Sequence, residues 1–451
     1  MISVAKGLWG AAAIAACATL SAACSKPAAP RPLDRADARA QAPRWEPTKT
    51  YAVIAGVLSW RDASLSSFSK VERKDRELFE LLGKRGVPAS NRILLLDEAA
   101  TSKAILDAVG ELASKAEPGS TLIVYYAGHG MKTHDDRVVF ASFDVDTTKL
   151  GSTGLHVDAL TPLLRSRIAR GRVILLADCC YSGGLGEVAR AVGAGGVEAL
   201  ALTSAEASNT STGNWTFTQT VIDALAGRSI GDHDGDGAIT LGELEVEAQA
   251  AMKAREGQRL GLANHGVSES LVLAAAGPCP GCKRPELDRP FARGSYVVAR
   301  RESESAPARV LDVDAATGNL AVAFYDYSHE VLATVPRAEA TPLAFPTYPV
   351  GSALDVTWGG RTYEAKVLKV EDGFHYVTYP GWPPIWDEWM TASRVVGPHA
   401  EGKAARKVKV EWGGRYWDAV VLRRDGPRYC VHYVGYGASW DECVTEERVK
   451  F

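Results

Sequence analysis

Two short segments hold residues able to do nucleophilic chemistry. Tyr125-Tyr126-Ala127-Gly128-His129-Gly130 presents an imidazole between glycines, and Asp178-Cys179-Cys180-Tyr181-Ser182-Gly183-Gly184 presents two adjacent thiols. A thiol with an ordinary pKa of about 8.5 is only a few per cent thiolate at neutral pH. A nearby imidazole removes that handicap by taking the proton and later giving one to a leaving amine. Flanking glycines let the backbone approach a substrate and point N–H groups at a developing oxyanion. His129 and Cys180, 51 residues apart, are therefore a candidate base and nucleophile. Neighbouring residues at a strand end point to opposite sides, so only one of Cys179 and Cys180 should face a shared crevice.

Both segments follow runs that read as strands buried on both faces. The runs are 51–58, 92–96, 121–127, 172–177 and 199–203, each short, β-branched and nearly continuous in apolar character. Between them, 74–84 (Leu78, Phe79, Leu81, Leu82) and 102–115 (Ile105, Leu106, Val109, Leu112) have helical spacing. This alternation predicts a mostly parallel sheet covered by helices, an α/β fold. In such sheets ligands bind beyond the carboxyl ends of the strands, where the two segments would converge.

These residues resemble the caspase-like cysteine peptidases, metacaspases in particular. Residues 125–130 are similar to the family's H-Y-S-G-H-G segment and 178–183 to its D-S-C-H-S-G segment, and the His-to-Cys spacing matches the roughly 50 residues of caspases. The resemblance covers residues 51–275, about half the chain. It implies that His129 activates the thiol and that Cys180, third in D-x-C, is the nucleophile. It also implies an oxyanion hole from the backbone amides of Gly130 and Cys180, and a role for Asp178 in holding a basic side chain, hence cleavage after Arg or Lys. The chain departs from the family at Ala127, Cys179 and Tyr181, which leaves Cys179 as a rival nucleophile. A caspase Q-A-C-x-G is lacking, which argues against cleavage after Asp. His134 and His156 read as ordinary loop or core histidines. Arg190, within 183–196, offers a basic site for zymogen processing.

Asp232-His233-Asp234-Gly235-Asp236-Gly237-Ala238-Ile239-Thr240 with Glu243 satisfies the oxygen-ligand template of an EF-hand calcium loop. Asp232, Asp234 and Asp236 supply side-chain oxygens, Ala238 its carbonyl, Thr240 an oxygen directly or through water, and Glu243 both carboxylate oxygens. Residues 241–255 can form the exiting helix, but Gly227 and Gly231 interrupt an incoming one. The expected Ca2+ is structural.

After Gly277 the pattern changes to aromatic-rich short strands and tight turns. Trp358, Arg361, Val367, Tyr379, Gly381, Trp386, Glu388 and Arg394 recur 54 residues later as Trp412, Arg415, Val421, Tyr433, Gly435, Trp440, Glu442 and Arg448, so the two units should share one fold. A diverged third unit is expected over 294–343. The units are similar to chromo-barrel or Tudor-knot domains of SH3-like type, which hold methylated lysine in an aromatic cage. The matching positions are Tyr363, Tyr379, Trp382 and Trp386, then Trp417, Tyr433, Tyr436 and Trp440. Rings there could hold a cationic or peptide ligand, or simply build a small core. Tyr376 and Trp389 become Cys430 and Cys443 in the second copy, which points to a contacting pair replaced by a disulfide. Cys279 and Cys282 form either a small disulfide loop or half a zinc site, and the disulfide is preferred.

The N-terminus reads as an export signal, with Lys6 ahead of an Ala-rich apolar stretch ending at Leu20-Ser21-Ala22-Ala23-Cys24. This looks like a lipoprotein signal in which Cys24 carries the lipid; Cys17 is the alternative. The expected organisation is signal peptide 1–24, flexible Pro/Ala-rich tether 25–47, peptidase domain 48–276, linker 277–292, and barrels 293–345, 346–398 and 399–451. A formal net charge of -3 gives no sign of a nucleic-acid partner. The combined expectation is a lipid-anchored thiol endopeptidase of the bacterial cell envelope, acting on peptide or protein substrates. The alternative is a catalytically silent, surface-tethered binding protein.

Overall fold

The computed structural model describes residues 42–450 apart from 168–170, 210–212, 327–328, 359, 400–406, 426–427, 435 and 437–439. The expected signal peptide, Cys17, Cys24 and the tether as far as residue 41 lie outside the described residues. No described helix is long and apolar enough to cross a membrane.

Strands β1 (Thr50–Gly56), β2 (Arg92–Leu96), β3 (Thr121–Ala127), β4 (Arg172–Asp178), β5 (Glu198–Thr203) and β6 (Gly261–His265) form one sheet in the order β6-β5-β4-β3-β1-β2. All neighbours are parallel except β6 against β5. β1 and β3 are buried along their whole length, as their unbroken apolar runs require. Helices α1 (Lys74–Lys84), α5 (Thr216–Ala226) and α6 (Leu241–Ala251) cover one face, where Leu78, Leu82, Phe217, Val221 and Leu244 pack on Ile54 and Tyr125. Helices α2 (Ser102–Lys115), α3 (Leu160–Arg167) and α4 (Leu185–Gly193) cover the other, where Ile105, Val109, Leu164 and Val188 pack on Val53 and Val124. α2 starts at Thr101, whose side chain accepts the Ala104 N–H and satisfies one of the unpaired donors of the first turn.

Two expectations change here. The tether was expected to run to residue 47, but Trp45 is buried, its indole donates to Thr50 Oγ1 at 2.8 Å, and its backbone N–H donates to the Val272 carbonyl. Burying so large a ring outweighs the freedom of a few Pro/Ala-rich residues, so the folded part begins by Pro43. The segment expected to offer a processing site at Arg190 is helix α4, with Leu185, Val188, Ala189 and Val192 in the core. A protease needs extended, exposed chain, which this helix does not present.

Three five-stranded antiparallel sheets follow, over 296–342, 353–398 and 407–450, here called the first, second and third modules. In each, four strands meander and the fifth returns to pair with the first. Each long second strand carries an irregularity at the same place, between Val310 and Asp312, Val367 and Lys369, and Val421 and Arg423. An extra residue there bends the strand and curls the sheet around its own small core. The first module shares the strand order and the bulge of the other two.

Candidate active site

β3 and β4 pair in register, with Ala127 opposite Asp178. His129 and Cys180 therefore each stand two residues beyond a matched pair, on strands about 4.8 Å apart. Gly130 fixes how closely the two turns meet. A Cβ on it would lie 1.7 Å from the Cys180 carbonyl oxygen and 3.2 Å from Cys179 Sγ. Only glycine fits, so the histidine and cysteine turns are in direct backbone contact.

His129 is held on three sides by the turn after β1. Its Nε2 lies 2.8 Å from the Ser66 carbonyl. A carbonyl only accepts, so Nε2 carries the proton and Nδ1 is the basic nitrogen. Trp60 and Phe68 pack on the ring at 4.5 and 4.6 Å between centroids. Burial among these rings lowers the His129 pKa, partly opposed by the Ser66 carbonyl. The imidazole is thus kept neutral and able to accept a proton near neutral pH.

The two thiols occupy different environments. Cys179 follows Ala177 into the core beneath α2 and α4, and burial holds its thiol well above the usual range. Cys180 is half-exposed. Asp178 points to the opposite face and is buried. Its Oδ2 accepts the Thr218 hydroxyl at 2.6 Å and the Thr218 N–H at 3.2 Å. Burial raises its pKa to about 6, against the lowering effect of those bonds. Tyr181 has left-handed backbone, φ 55°, and its N–H donates to the Asn209 carbonyl at 2.7 Å. His156, read as an ordinary histidine, lies 2.8 Å from the Gly151 carbonyl.

The acidic loop lies between α5 and α6. α5 stops at Gly227, whose φ of 78° only glycine adopts readily, so no incoming α-helix reaches the loop and a single 3-10 turn, Ser229–Gly231, leads into it. Asp232, Asp234 and Asp236 each bring a carboxylate oxygen within 4.8 Å of the others. Glu243 accepts the His233 N–H at 2.9 Å and, with Thr240, forms the capping box of α6. Gly237 makes the sharp turn at φ 81°. Ala238 and Thr240 bound a short strand that pairs with Val272–Ala275. Burial and the neighbouring carboxylates raise the Asp232 pKa. Like charges crowded in this way suit a divalent cation with hard oxygen ligands, and these residues would hold Ca2+.

In the second module Tyr363, Trp382 and Trp386 meet at near right angles, 81° and 82°, and Trp358 joins them. Tyr363 and Tyr379 also belong to the module's core. In the third, Trp417 and Tyr436 meet at 89° and Tyr436 and Trp440 at 59°, while Tyr433 is buried. Cys430 and Cys443, opposite each other on neighbouring strands, are bonded, where the Tyr376 and Trp389 rings pack tilted with centroids 5.3 Å apart in the second module. Cys279 and Cys282 are also bonded.

Sequence reading did not find Ser66, Trp60, Phe68, Thr218 or Asn209. Ser66 acts through its main-chain carbonyl, which no side-chain pattern reveals. The others lie far along the chain from the two motifs, Thr218 in helix α5 and Asn209 in the loop after β5, and Trp60 and Phe68, close before the first helix, carried the only available signal: two large rings in a polar loop.

The family described as metacaspase, peptidase C14 domain, matches residues 89–189, the stretch that contains both His129 and Cys180. Among solved structures, a Geobacter sulfurreducens protein is 16% identical over 51% of this chain and 95% of its own, with a TM-score of 0.33. Caspase-1 from Spodoptera frugiperda is 14% identical over 53% of this chain and 96% of its own, with a TM-score of 0.36. No curated protein matches. The family match supports a caspase-like peptidase domain around the two turns, over residues 89–189.

Proposed function

We propose that this protein is an exported, membrane-anchored cysteine endopeptidase that cleaves after Arg or Lys. The observation that carries this is the register of β3 and β4, which brings His129 and Cys180 off neighbouring strand ends into touching turns. Cys180 Sγ attacks the scissile carbonyl while its proton passes to His129 Nδ1. The oxyanion is held by the backbone amides of Gly130 and Cys180, and the imidazolium then protonates the leaving amine. Water, deprotonated by His129, cleaves the resulting thioester and regenerates the thiol. Ser66 holds the imidazole in the tautomer this requires.

Asp178, beneath the same turn, supplies the acid that prefers a basic substrate side chain. The acidic loop takes Ca2+ through Asp232, Asp234, Asp236, Ala238, Thr240 and Glu243, and the bound charge steadies the loop. Lipid on Cys24 tethers the chain to the cell envelope, and the modules gather targets. The exposed rings Tyr436 and Trp440 of the third module suit a cationic group.

The test is hydrolysis of Arg- and Lys-ended fluorogenic peptides, with and without a calcium chelator. Cys180→Ala should lower the rate at least about a thousandfold, as loss of a nucleophile does, and Cys179→Ala should keep most of it. The lowered His129 pKa puts the acid limb of kcat/KM below pH 6.5. Equal activity of Cys180→Ala and the parent would rule the proposal out.

A further inference from the structure

The aromatic cavity of the second module is not built by that module alone. Trp358, Tyr363, Trp382 and Trp386 form its walls, and Tyr181 and Ser208 of the peptidase domain close it. The back of Trp382 is sealed by His432, stacked at 3.7 Å. Tyr181 is the residue after Cys180, so the cavity wall begins one peptide unit from the candidate nucleophile. The two halves are fixed to each other by Asn209. Its backbone carbonyl takes the Tyr181 N–H, and its side chain bonds both the carbonyl (2.6 Å) and the N–H (3.0 Å) of Trp389. A buried amide bonded in this way holds the module against the catalytic turn in a single register.

We infer that this cavity is a substrate subsite, taking a bulky uncharged side chain of the same polypeptide whose bond is presented to Cys180. The inference rests on the peptidase reading above. The chemical class follows from the walls. Glu388 is the carboxylate there, but it is buried, accepts the Tyr379 hydroxyl at 2.6 Å and pairs with Arg394 at 2.8 Å, so its charge is already answered. The Lys132 ammonium, 5.3 Å from the Tyr181 ring centre, is paired with Asp136 at 2.9 Å, so its charge is answered as well. What remains is ring carbon with no uncompensated negative charge, which favours Phe, Leu or Trp over a cation. An extended chain advances about 3.3–3.6 Å per residue, so a reach of four residues on either side of the cleaved bond covers about 13–14 Å, and that range is the one probed.

The experiment uses the full chain carrying Cys180→Ala, so that binding is read without cleavage. The probes are twelve-residue peptides with a central Arg and, within four residues on either side of it, Phe, Ala or trimethyl-lysine. Calorimetry should give about tenfold tighter binding for the Phe peptide than for the Ala peptide, the scale of filling an apolar pocket. Trp386→Ala should abolish that preference, while Trp440→Ala, the matching change in the third module, should keep it. If Trp386→Ala fails to fold, Ile385→Asp on the exposed rim puts a charge into the same mouth and should act likewise. Equal binding of the Phe and Ala peptides, tighter binding of the trimethyl-lysine peptide, or equal loss on Trp440→Ala would overturn the inference. A retained Phe preference in a chain whose parent cleaves nothing would refute the peptidase reading alone. Cleavage by the parent without any Phe preference would refute the subsite alone.

Discussion

In the second module Trp358 and Trp386 meet edge to face at 5.9 Å and 69°, and in the third Trp412 and Trp440 meet at 5.8 Å and 87°. The acids match as well, although Glu388 is buried and Glu442 is about a third exposed. Tyr379 donates to Glu388 at 2.6 Å and Tyr433 to Glu442 at 2.7 Å, each beside an arginine of the same repeat. Their surroundings differ. The second module lies on the peptidase domain through Asn209, through Arg259, which pairs with Glu371 and covers the Trp389 ring, and through Lys253, which donates to the Asp372 carbonyl. The third rests on the second through the Trp382–His432 stack and the Arg361–Asp441 pair. Its rings stand open, with Trp412 and Trp440 about half exposed. One repeat thus builds the same cluster of rings twice, and the docked neighbour decides whether that cluster is a partly covered cavity or an open shelf.

The hardest blow to this contrast should come from Asn209→Ala. It leaves the buried N–H and carbonyl of Trp389 without their partners, at about 1–3 kcal/mol for each group. Denaturant unfolding should show a loss of about 2–6 kcal/mol, and hydrogen exchange should rise at the second module's face and not in the third module. If exchange rises equally in both, the clamp is not specific to the second. Next comes Cys430→Ser with Cys443→Ser. Opening a loop of this length removes about 3 kcal/mol, read as lost exchange protection in the third module only. Protection lost in the second module would mean that the two modules fold as one.

A third test sharpens the Asp178 side of the interface. The Asp178 pKa is raised in the fold from 3.8 to about 6 by burial, so its stabilising contribution is full below pH 3.8 and is lost as the pH rises through about 6. Asp178→Asn should therefore stabilise the protein by up to about 3 kcal/mol at pH 8, two pKa units' worth, and by little at pH 4. A gain independent of pH would show that the carboxylate's charge is not the cause. The smallest effect is expected from Arg361→Ala. It removes a pair exposed on the arginine side and should cost no more than about 1 kcal/mol, decreasing with added salt.

Much of the fold was legible because its strands and helices announce themselves locally. Residues 74–84 and 102–115 are helices as their spacing predicted, and 92–96 and 121–127 are strands with those bounds. The repeat offset of 54 residues likewise predicted two units with one topology. Legibility failed where the signal lay in contacts distant in sequence. Trp45 looked like part of a tether because its burial depends on Thr50 and Val272. Residues around Arg190 looked like a cleavable loop because Gly183, Gly184, Gly193, Gly195 and Gly196 flank a short helix whose apolar face is visible only against the sheet. Tyr363 and Tyr379 are at once core and cavity wall, a double role that no one-dimensional pattern separates.

The amino-acid sequence alone determined the element order, the glycine-flanked histidine and cysteine, the acidic loop and the doubled aromatic unit, because each is written in residues close together along the chain. Only the tertiary structure decided which of two adjacent thiols faces out, which nitrogen of His129 is basic, and which aromatic cluster adjoins the Cys180 turn. Those choices depend on a backbone carbonyl at Ser66, on the register of β3 against β4, and on one buried asparagine. Each is a hydrogen bond or strand pairing between segments far apart in the chain, and such partners are selected by packing rather than by local residue type.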